Sequence, residues 1–304
     1  MQTTRLRLAL RAAPATLLIG WAGLIQAEIV TLEPSADTTL FESVPTNNMG
    51  RAQSLASGTT VNGTRTRALL RFDVAGGVPA GATILSARLQ LSVIIVPLGG
   101  GTNSNFGLHR MRVPWIEGSV LGDIRSLGAG AQPGEPCWSA RAFPSTSWSM
   151  PGAAAPADYD SAASSTTLVG DLGTYPITNL AMDVQSWLAN PADNFGWILV
   201  SDKEAAPGSA RRFGSRDNTN ALDRPQLVID FTSFKIESPE VAGDKFNIHF
   251  AAKAGKSYVI ECRDSFPTPT WTTWSNLSVQ ATSGLVTVPL PFTGTRKFFR
   301  VGEK

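Results

Sequence analysis

Asn194-Phe195-Gly196-Trp197-Ile198-Leu199-Val200-Ser201-Asp202-Lys203-Glu204, then Pro207-Gly208, then Ala210-Arg211-Arg212-Phe213-Gly214-Ser215-Arg216-Asp217, and after a loop Arg224-Pro225-Gln226-Leu227-Val228-Ile229-Asp230-Phe231: this stretch decides the fold. Phe195, Trp197 and Leu199 fall on alternate positions, as do Arg211, Phe213 and Ser215, and Leu227, Ile229 and Phe231. A period of two residues is that of a half-buried strand. Pro207-Gly208 and the polar cluster over 218–223 supply the turns. Three short strands are therefore expected.

Outward from there, 304 residues give room for two domains, each with a substantial core. Arg5, Arg7 and Arg11 precede a mostly apolar run over 15–24, and Ile25-Gln26-Ala27 follows as a cleavage site. Residues 1–27 read as a secretory signal peptide, so a secreted or cell-surface location is expected. No later run is long and apolar enough for a membrane span. Without residues 1–27 the chain carries 23 basic and 24 acidic side chains, so its balance gives no reason to expect a nucleic-acid partner. Residues 28–233 hold 14 basic and 18 acidic groups; residues 234–304 hold nine and six. Cys137 and Cys262 fall in different halves and read either as one interdomain bridge or as two unpaired thiols.

Earlier in the chain, the residues from Glu28 to Pro34 and the run Ala36-Asp37-Thr38-Thr39-Leu40 open with strand pattern, and Pro45-Thr46-Asn47-Asn48-Met49-Gly50 is a turn-rich loop. Ala68-Leu69-Leu70-Arg71-Phe72-Asp73 and Leu85-Ser86-Ala87-Arg88-Leu89-Gln90-Leu91-Ser92-Val93 are further strands, the second with Arg88 and Gln90 outward. Over 106–113 another strand places Leu108, Arg110 and Arg112 on one face and His109, Met111 and Val113 on the other. Residues 126–168 are rich in Gly, Ala, Pro and Ser with Trp138 and Trp148 embedded. Loops of that length inside a domain are often functional. The two tryptophans read two ways, as platforms for sugar rings or as pins holding the loop to the domain. One helix is expected over 179–189, with Leu180, Val184, Trp187 and Leu188 on one face, Thr178 or Asn179 capping its start and Asn190-Pro191 ending it.

Several of these segments carry a resemblance. Phe213-Gly214-Ser215-Arg216-Asp217 with Arg224-Pro225-Gln226-Leu227 resembles the closing motif of the DNRLRE (disaggregatase-related) domain family. Leu69-Leu70-Arg71-Phe72-Asp73, Trp115-Ile116-Glu117-Gly118, Trp148-Ser149-Met150-Pro151-Gly152 and Asp158-Tyr159-Asp160 are similar to that family's other motifs, in the same order. Asn48-Met49-Gly50 stands where the family carries Asn-Tyr-Gly, and Ala181 where its helix has Thr. The resemblance implies an extracellular β-sandwich of the kind found beside carbohydrate-active enzymes, some members binding alginate. After Phe231, five or more short strands follow; Gly255-Lys256-Ser257-Tyr258-Val259-Ile260-Glu261 and Phe298-Phe299-Arg300-Val301 resemble a small immunoglobulin-like domain found at the C-termini of secreted bacterial proteins.

With only His109 and His249, a His-based triad or a multi-His metal site is not expected, and no nucleophile elbow, phosphate loop or dinucleotide fingerprint occurs. Glu117, Asp158, Asp160, Asp171, Asp202 and Glu204 read two ways, as solvated loop charges or as carboxylates that converge in space as an acid/base pair, with Glu117 read as a structural acceptor. The expected fold is all-β: a jelly-roll-like β-sandwich with one short helix over 28–233, then a small immunoglobulin-like β-sandwich over 234–304. The expected function is a secreted, non-catalytic polysaccharide-binding protein, the ligand an extracellular acidic glycan such as alginate. Arg110, Arg112, Lys203, Arg211, Arg212 and Arg216 would supply cations for its carboxylates. A neutral glycan would instead use Trp138 and Trp148. No cofactor is required, although oxygens from Asp37, Asn47 or Asp160 suit a structural calcium. The alternatives are a structural surface or matrix protein mediating adhesion or assembly, and a polysaccharide lyase or glycosidase.

Overall fold

The computed structural model describes residues 27–123, 125–233, 236–242, 245–263, 270–291 and 298–303. Apart from Ala27, the expected signal peptide lies outside them. Two compact units form, one within Gln26–Phe234 and one within Lys235–Lys304. The protein is mostly β, and among the described residues one α-helix in the first unit is longer than a single turn. Among the described residues no helix is long and apolar enough to cross a membrane.

The first unit is built from β1 (Glu28–Leu32), β2 (Ala36–Phe41), β3 (Ser54–Thr59), β4 (Arg65–Arg71), β5 (Thr83–Ile95), β6 (Ser104–Arg110), β7 (Ser165–Val169), β8 (Gly173–Ile177), α1 (Ala181–Ala189), β9 (Trp197–Ser201), β10 (Arg211–Gly214) and β11 (Gln226–Thr232). The stretch that opens the sequence reading yields β9, β10 and β11. In one layer β5 is central: β10 and β11 lie end to end along one side of it, and β8 lies on the other. The second layer runs β2-β4-β9-β6-β7, all antiparallel. The layers are continuous at one seam, where β3 pairs with β10 and also with the start of β4 (Gly58 opposite Thr66). On the far side the turn from β7 to β8 carries the chain across. One curled antiparallel sheet therefore closes into a jelly-roll-like sandwich.

Alternation along the strands fills the space between the layers. Leu89, Leu91 and Val93 meet Leu70, Phe106, Leu108, Trp197, Leu199, Phe213, Leu227 and Ile229, all buried. Burying each such side chain contributes roughly 1.5–3 kcal/mol. Val184, Trp187 and Leu188 of α1 join the same core. The helix begins later than its sequence pattern suggests: Leu180 occupies the cap position without a side-chain cap, and Asn179 adopts a left-handed φ of 64°. Asp183, in the first turn, is drawn instead to Trp197 Nε1 at 2.7 Å.

The outer face of the second layer is also covered. Ala36, Leu40, Leu69 and Ile198 pack against Met111, Trp115, Trp138, Trp148, Ala153 and Tyr159. The segment expected as a long open loop is thus a third, largely strandless layer over an apolar sheet face. Its carboxylates hold it together. Asp158 accepts from the backbone N–H of Ser149 and of Ala154 and from Ser149 Oγ; Glu135 accepts from the N–H of Ser119 and of Gln132. At Gly152, with φ 84°, a Cβ would lie 2.6 Å from the Trp138 ring, so the turn and the ring require each other.

In the second unit two three-stranded antiparallel sheets form a small sandwich of the immunoglobulin-like class. One sheet holds β12 (Ile236–Ala242), β13 (Lys245–Ala252) and β16 (Gly284–Pro291); the other holds β15 (Thr272–Leu277), β14 (Tyr258–Arg263) and β17 (Phe298–Glu303). Ile248, Phe250, Tyr258, Ile260, Cys262, Val288 and Leu290 are its buried side chains. Cys137 and Cys262 are each buried as free thiols.

Candidate functional site

Strand β6 ends at Arg110, directly opposite Trp197 in β9. That register turns Arg110 to the same side as Trp197, and its guanidinium comes to rest over the Trp187 ring, 5.5 Å from the centroid. Trp187 itself packs edge-on against Trp197. The guanidinium of Arg110 has no hydrogen bond and no ion pair among the described residues. Half-buried arginines ordinarily find acceptors, because unmet donors are costly when taken from water.

Arg110 lines a polar cavity of about 380 Å³ together with Met111, Arg112, Asp160, Asp193 and Phe195. Arg112 lies loosely in it, Nε 3.7 Å from Asp160 and Nη1 3.3 Å from the carbonyl of Pro156. With both side chains about half exposed, that ion pair contributes at most about 1 kcal/mol and is readily exchanged for another anion. Asp160 is fixed by its backbone, its N–H donating to the Arg110 carbonyl and its own carbonyl lying 2.9 Å from His109 Nδ1. Asp193 arrives from the 3₁₀ turn Pro191–Asp193 that follows α1. The cavity thus presents two guanidinium groups, two carboxylates and an aromatic wall. Such a set can hold a carboxylate on the arginines and hydroxyl groups on the aspartates.

The other expected cations lie elsewhere. Lys203 sits at the opposite end of the same sheet, its Nζ donating to the Asn103 carbonyl just before β6 begins. Arg211 is 1% exposed and its guanidinium is used on the carbonyls of Gly170, Gly208, Ser209 and Ala210, so it cannot meet a ligand. Arg212 donates to Ser54 Oγ beside an apolar groove lined by Phe41, Val61 and Leu98, and burial lowers its pKa. Arg71 lies over Trp115 and donates to that residue's carbonyl; Arg224 donates to the carbonyl of Asn218.

Trp138 and Trp148 offer no ring face to a sugar. Each is 4% exposed. Trp138 lies beneath the guanidinium groups of Arg65 and Arg67, and Trp148 Nε1 donates to the Cys137 carbonyl. They pin the third layer.

Arg216 belongs to a closed knot that gathers the family-like motifs. Its Nη1 donates to both oxygens of Glu117, at 3.0 and 2.8 Å, and to the Ser35 carbonyl. Its backbone N–H donates to Asp37 Oδ2 at 2.7 Å, while Glu117 Oε1 accepts the N–H of Asp37. Asn48 reaches the same place, donating to the carbonyls of Glu117 and Pro136. Asp37 is 1% exposed and its Oδ1 has no partner among the described residues. Burial pushes its carboxyl well above the ordinary aspartate range, Glu117 and Asp217 add to the effect, and the Arg216 N–H opposes it. Burial also raises Glu117. The three residues expected for calcium keep separate company: Asp37 in this knot, Asn47 on the Leu127 carbonyl, Asp160 beside Arg112. Among the described residues no three His, Cys, Asp or Glu side chains gather as a ligand set.

Asp193 and Phe195 escaped the sequence reading as site residues. The Asn190-Pro191 helix stop marked the turn that delivers them, but nothing in it marked a pocket. Comparison with protein-family models and with curated proteins gives no match for this chain.

Proposed function

We propose that the first unit is a non-catalytic recognition module for an extracellular polysaccharide bearing carboxylate groups, and that its motif order makes it a relative of the DNRLRE domains. The observation that carries this reading is Arg110: a guanidinium half-buried on Trp187, without an acceptor among the described residues, in a cavity it shares with Arg112. A cavity of about 380 Å³ falls at the lower end of the range for small-molecule sites, which suits one or two sugar units of a longer chain. A uronate carboxylate on Arg110 and Arg112 would be held by charge-assisted bonds, with Asp160 and Asp193 taking ring hydroxyls. Secretion supports an extracellular ligand and itself rests on the basic and apolar character of residues 1–27.

Affinity electrophoresis and calorimetry on alginate, polygalacturonate and neutral dextran test the proposal. Binding to an acidic polymer, weakened about tenfold or more by Arg110→Gln with unchanged thermal stability, is expected. Retardation by none of the three, or equal retardation of the wild type and the Arg110 variant, would end it. Because Asp160 and Asp193 share the cavity, a glycosidase or lyase reading is tested alongside: release of reducing ends or unsaturated products would replace recognition by catalysis.

A further inference from the structure

The charges that line the Arg110 cavity cancel: two guanidinium groups stand against two carboxylates. Arg112 and Asp160 are already loosely matched, 3.7 Å apart. The other two are not matched to each other. Arg110 rests on the Trp187 ring, and among the described residues neither its guanidinium nor the Asp193 carboxylate has a hydrogen bond or an ion pair.

Both groups are held where they stand. The ring beneath Arg110 fixes one. Asp193 is fixed by its turn: its N–H donates to the Asn190 carbonyl, and its own carbonyl accepts the N–H of Phe195. That turn is tied to the sandwich at 2.7 Å twice, by Asn194 Nδ2 on the Phe72 carbonyl and by Trp115 Nε1 on the Phe195 carbonyl. A cation and an anion are therefore presented in one cavity without closing on one another. A purely anionic ligand suits Arg110 but sets its next carboxylate against Asp193, and a neutral ligand leaves Arg110 unmet.

We propose that the unit bound in this cavity is zwitterionic: a uronate carboxylate meets Arg110, and the ammonium of an unsubstituted amino sugar meets Asp193. The inference rests on the reading of this cavity as a glycan site and narrows its ligand from polyuronates in general. A cavity of about 380 Å³ takes one or two sugar units, so both charges belong on the same or on adjacent sugars. Selectivity follows from sign, because a ligand with only one of the two charges faces a like charge or leaves a group unpaired.

The test is calorimetry on the full chain. The probes are polygalacturonate, a polymer alternating glucuronate with N-acetylglucosamine, the same polymer after N-deacetylation, and chitosan as a polycation without uronate. The deacetylated polymer is expected to bind about fivefold more tightly than its acetylated parent. Asp193→Asn should abolish that gain, so that the two forms bind equally, and Asp193→Lys should reverse their order. Asp171→Asn changes the net charge equally but lies past Val169, which faces Ser104 at the other end of β6, and should leave the gain intact. No gain on deacetylation, a gain that survives Asp193→Asn, or one lost equally in Asp171→Asn would overturn the proposal. So would chitosan binding as tightly as the deacetylated polymer. If the acidic polymers still bind through Arg110 in that event, only the zwitterionic ligand falls; if none of the polymers binds, the glycan site falls with it.

Discussion

Replacing Asp37 by Asn isolates a group that the fold buries at a cost. Asp37 Oδ2 is met by the Arg216 N–H, Oδ1 by no group among the described residues, and the surroundings favour the neutral acid. An Asn keeps a carbonyl oxygen for the Arg216 N–H and removes the charge. A carboxyl raised in the folded state contributes its stability when protonated: fully below the unfolded value near 3.9, and progressively less as pH rises through the folded value. Wild type should therefore lose ground to Asp37→Asn as pH climbs from about 4. The amide NH2 takes the position of Oδ1 and is no better met there, so the gain comes from removing the charge alone; with each unit of raised pKa worth about 1.4 kcal/mol, the variant should be more stable by about 1–3 kcal/mol at neutral pH. In a unit of this size each kcal/mol corresponds to a rise in Tm of roughly 2–4 °C. Urea unfolding between pH 4 and 8, followed by tryptophan fluorescence, measures it; five of the eight tryptophans lie in the first unit. A variant that is less stable at pH 7, or a gap that ignores pH, would refute the argument and mean that Arg216 holds Asp37 charged.

Gly152→Ala adds a Cβ 2.6 Å from Trp138 at a φ of 84°, and should cost about 2–5 kcal/mol, read as a lower Tm and a shifted fluorescence maximum. Asp158→Ala removes the acceptor for two backbone N–H groups and should expose 149–156 to limited proteolysis before global unfolding begins. Trp197→Phe takes the indole donor from Asp183, which keeps only Ser164 Oγ as its hydroxyl partner, and should cost about 2–4 kcal/mol by calorimetry. Arg112→Gln, which breaks an exposed ion pair and a long hydrogen bond to the Pro156 carbonyl, should leave stability within about 0.5 kcal/mol of wild type while weakening acidic-polymer binding severalfold.

Much of the sandwich could be read before any coordinates, because strands with one wet face print their period in the sequence. Leu227, Ile229 and Phe231 alternate and are all buried; Leu180, Val184, Trp187 and Leu188 share a helical face and are buried too. The third layer was harder. Its mark was the unbroken run Ala68-Leu69-Leu70, which fails to alternate because both faces of β4 are covered. Gly- and Pro-rich composition over 126–168 suggested an open loop, and only the turns fixed by Glu135 and Asp158 explain how such a segment packs. The site was less legible still. Six cations were candidates by type alone, yet a buried arginine that feeds backbone carbonyls and one that lacks any acceptor look alike in sequence. What separates Arg211 from Arg110 is Trp187 and the turn ending at Asp193, supplied by residues some 80 positions further on.

The outermost strands bear on how this protein behaves when crowded. Strand β8 borders its layer and carries Pro176, which has no N–H to offer a neighbouring chain. In the second unit β12 borders its sheet with Pro239 and an irregular register between Glu237 and Glu240. Copies packed side by side along these margins cannot zip backbone to backbone into a continuous ribbon. The margins at β1 and β7 carry no proline, so backbone pairing between copies is confined to those two strands of the first unit.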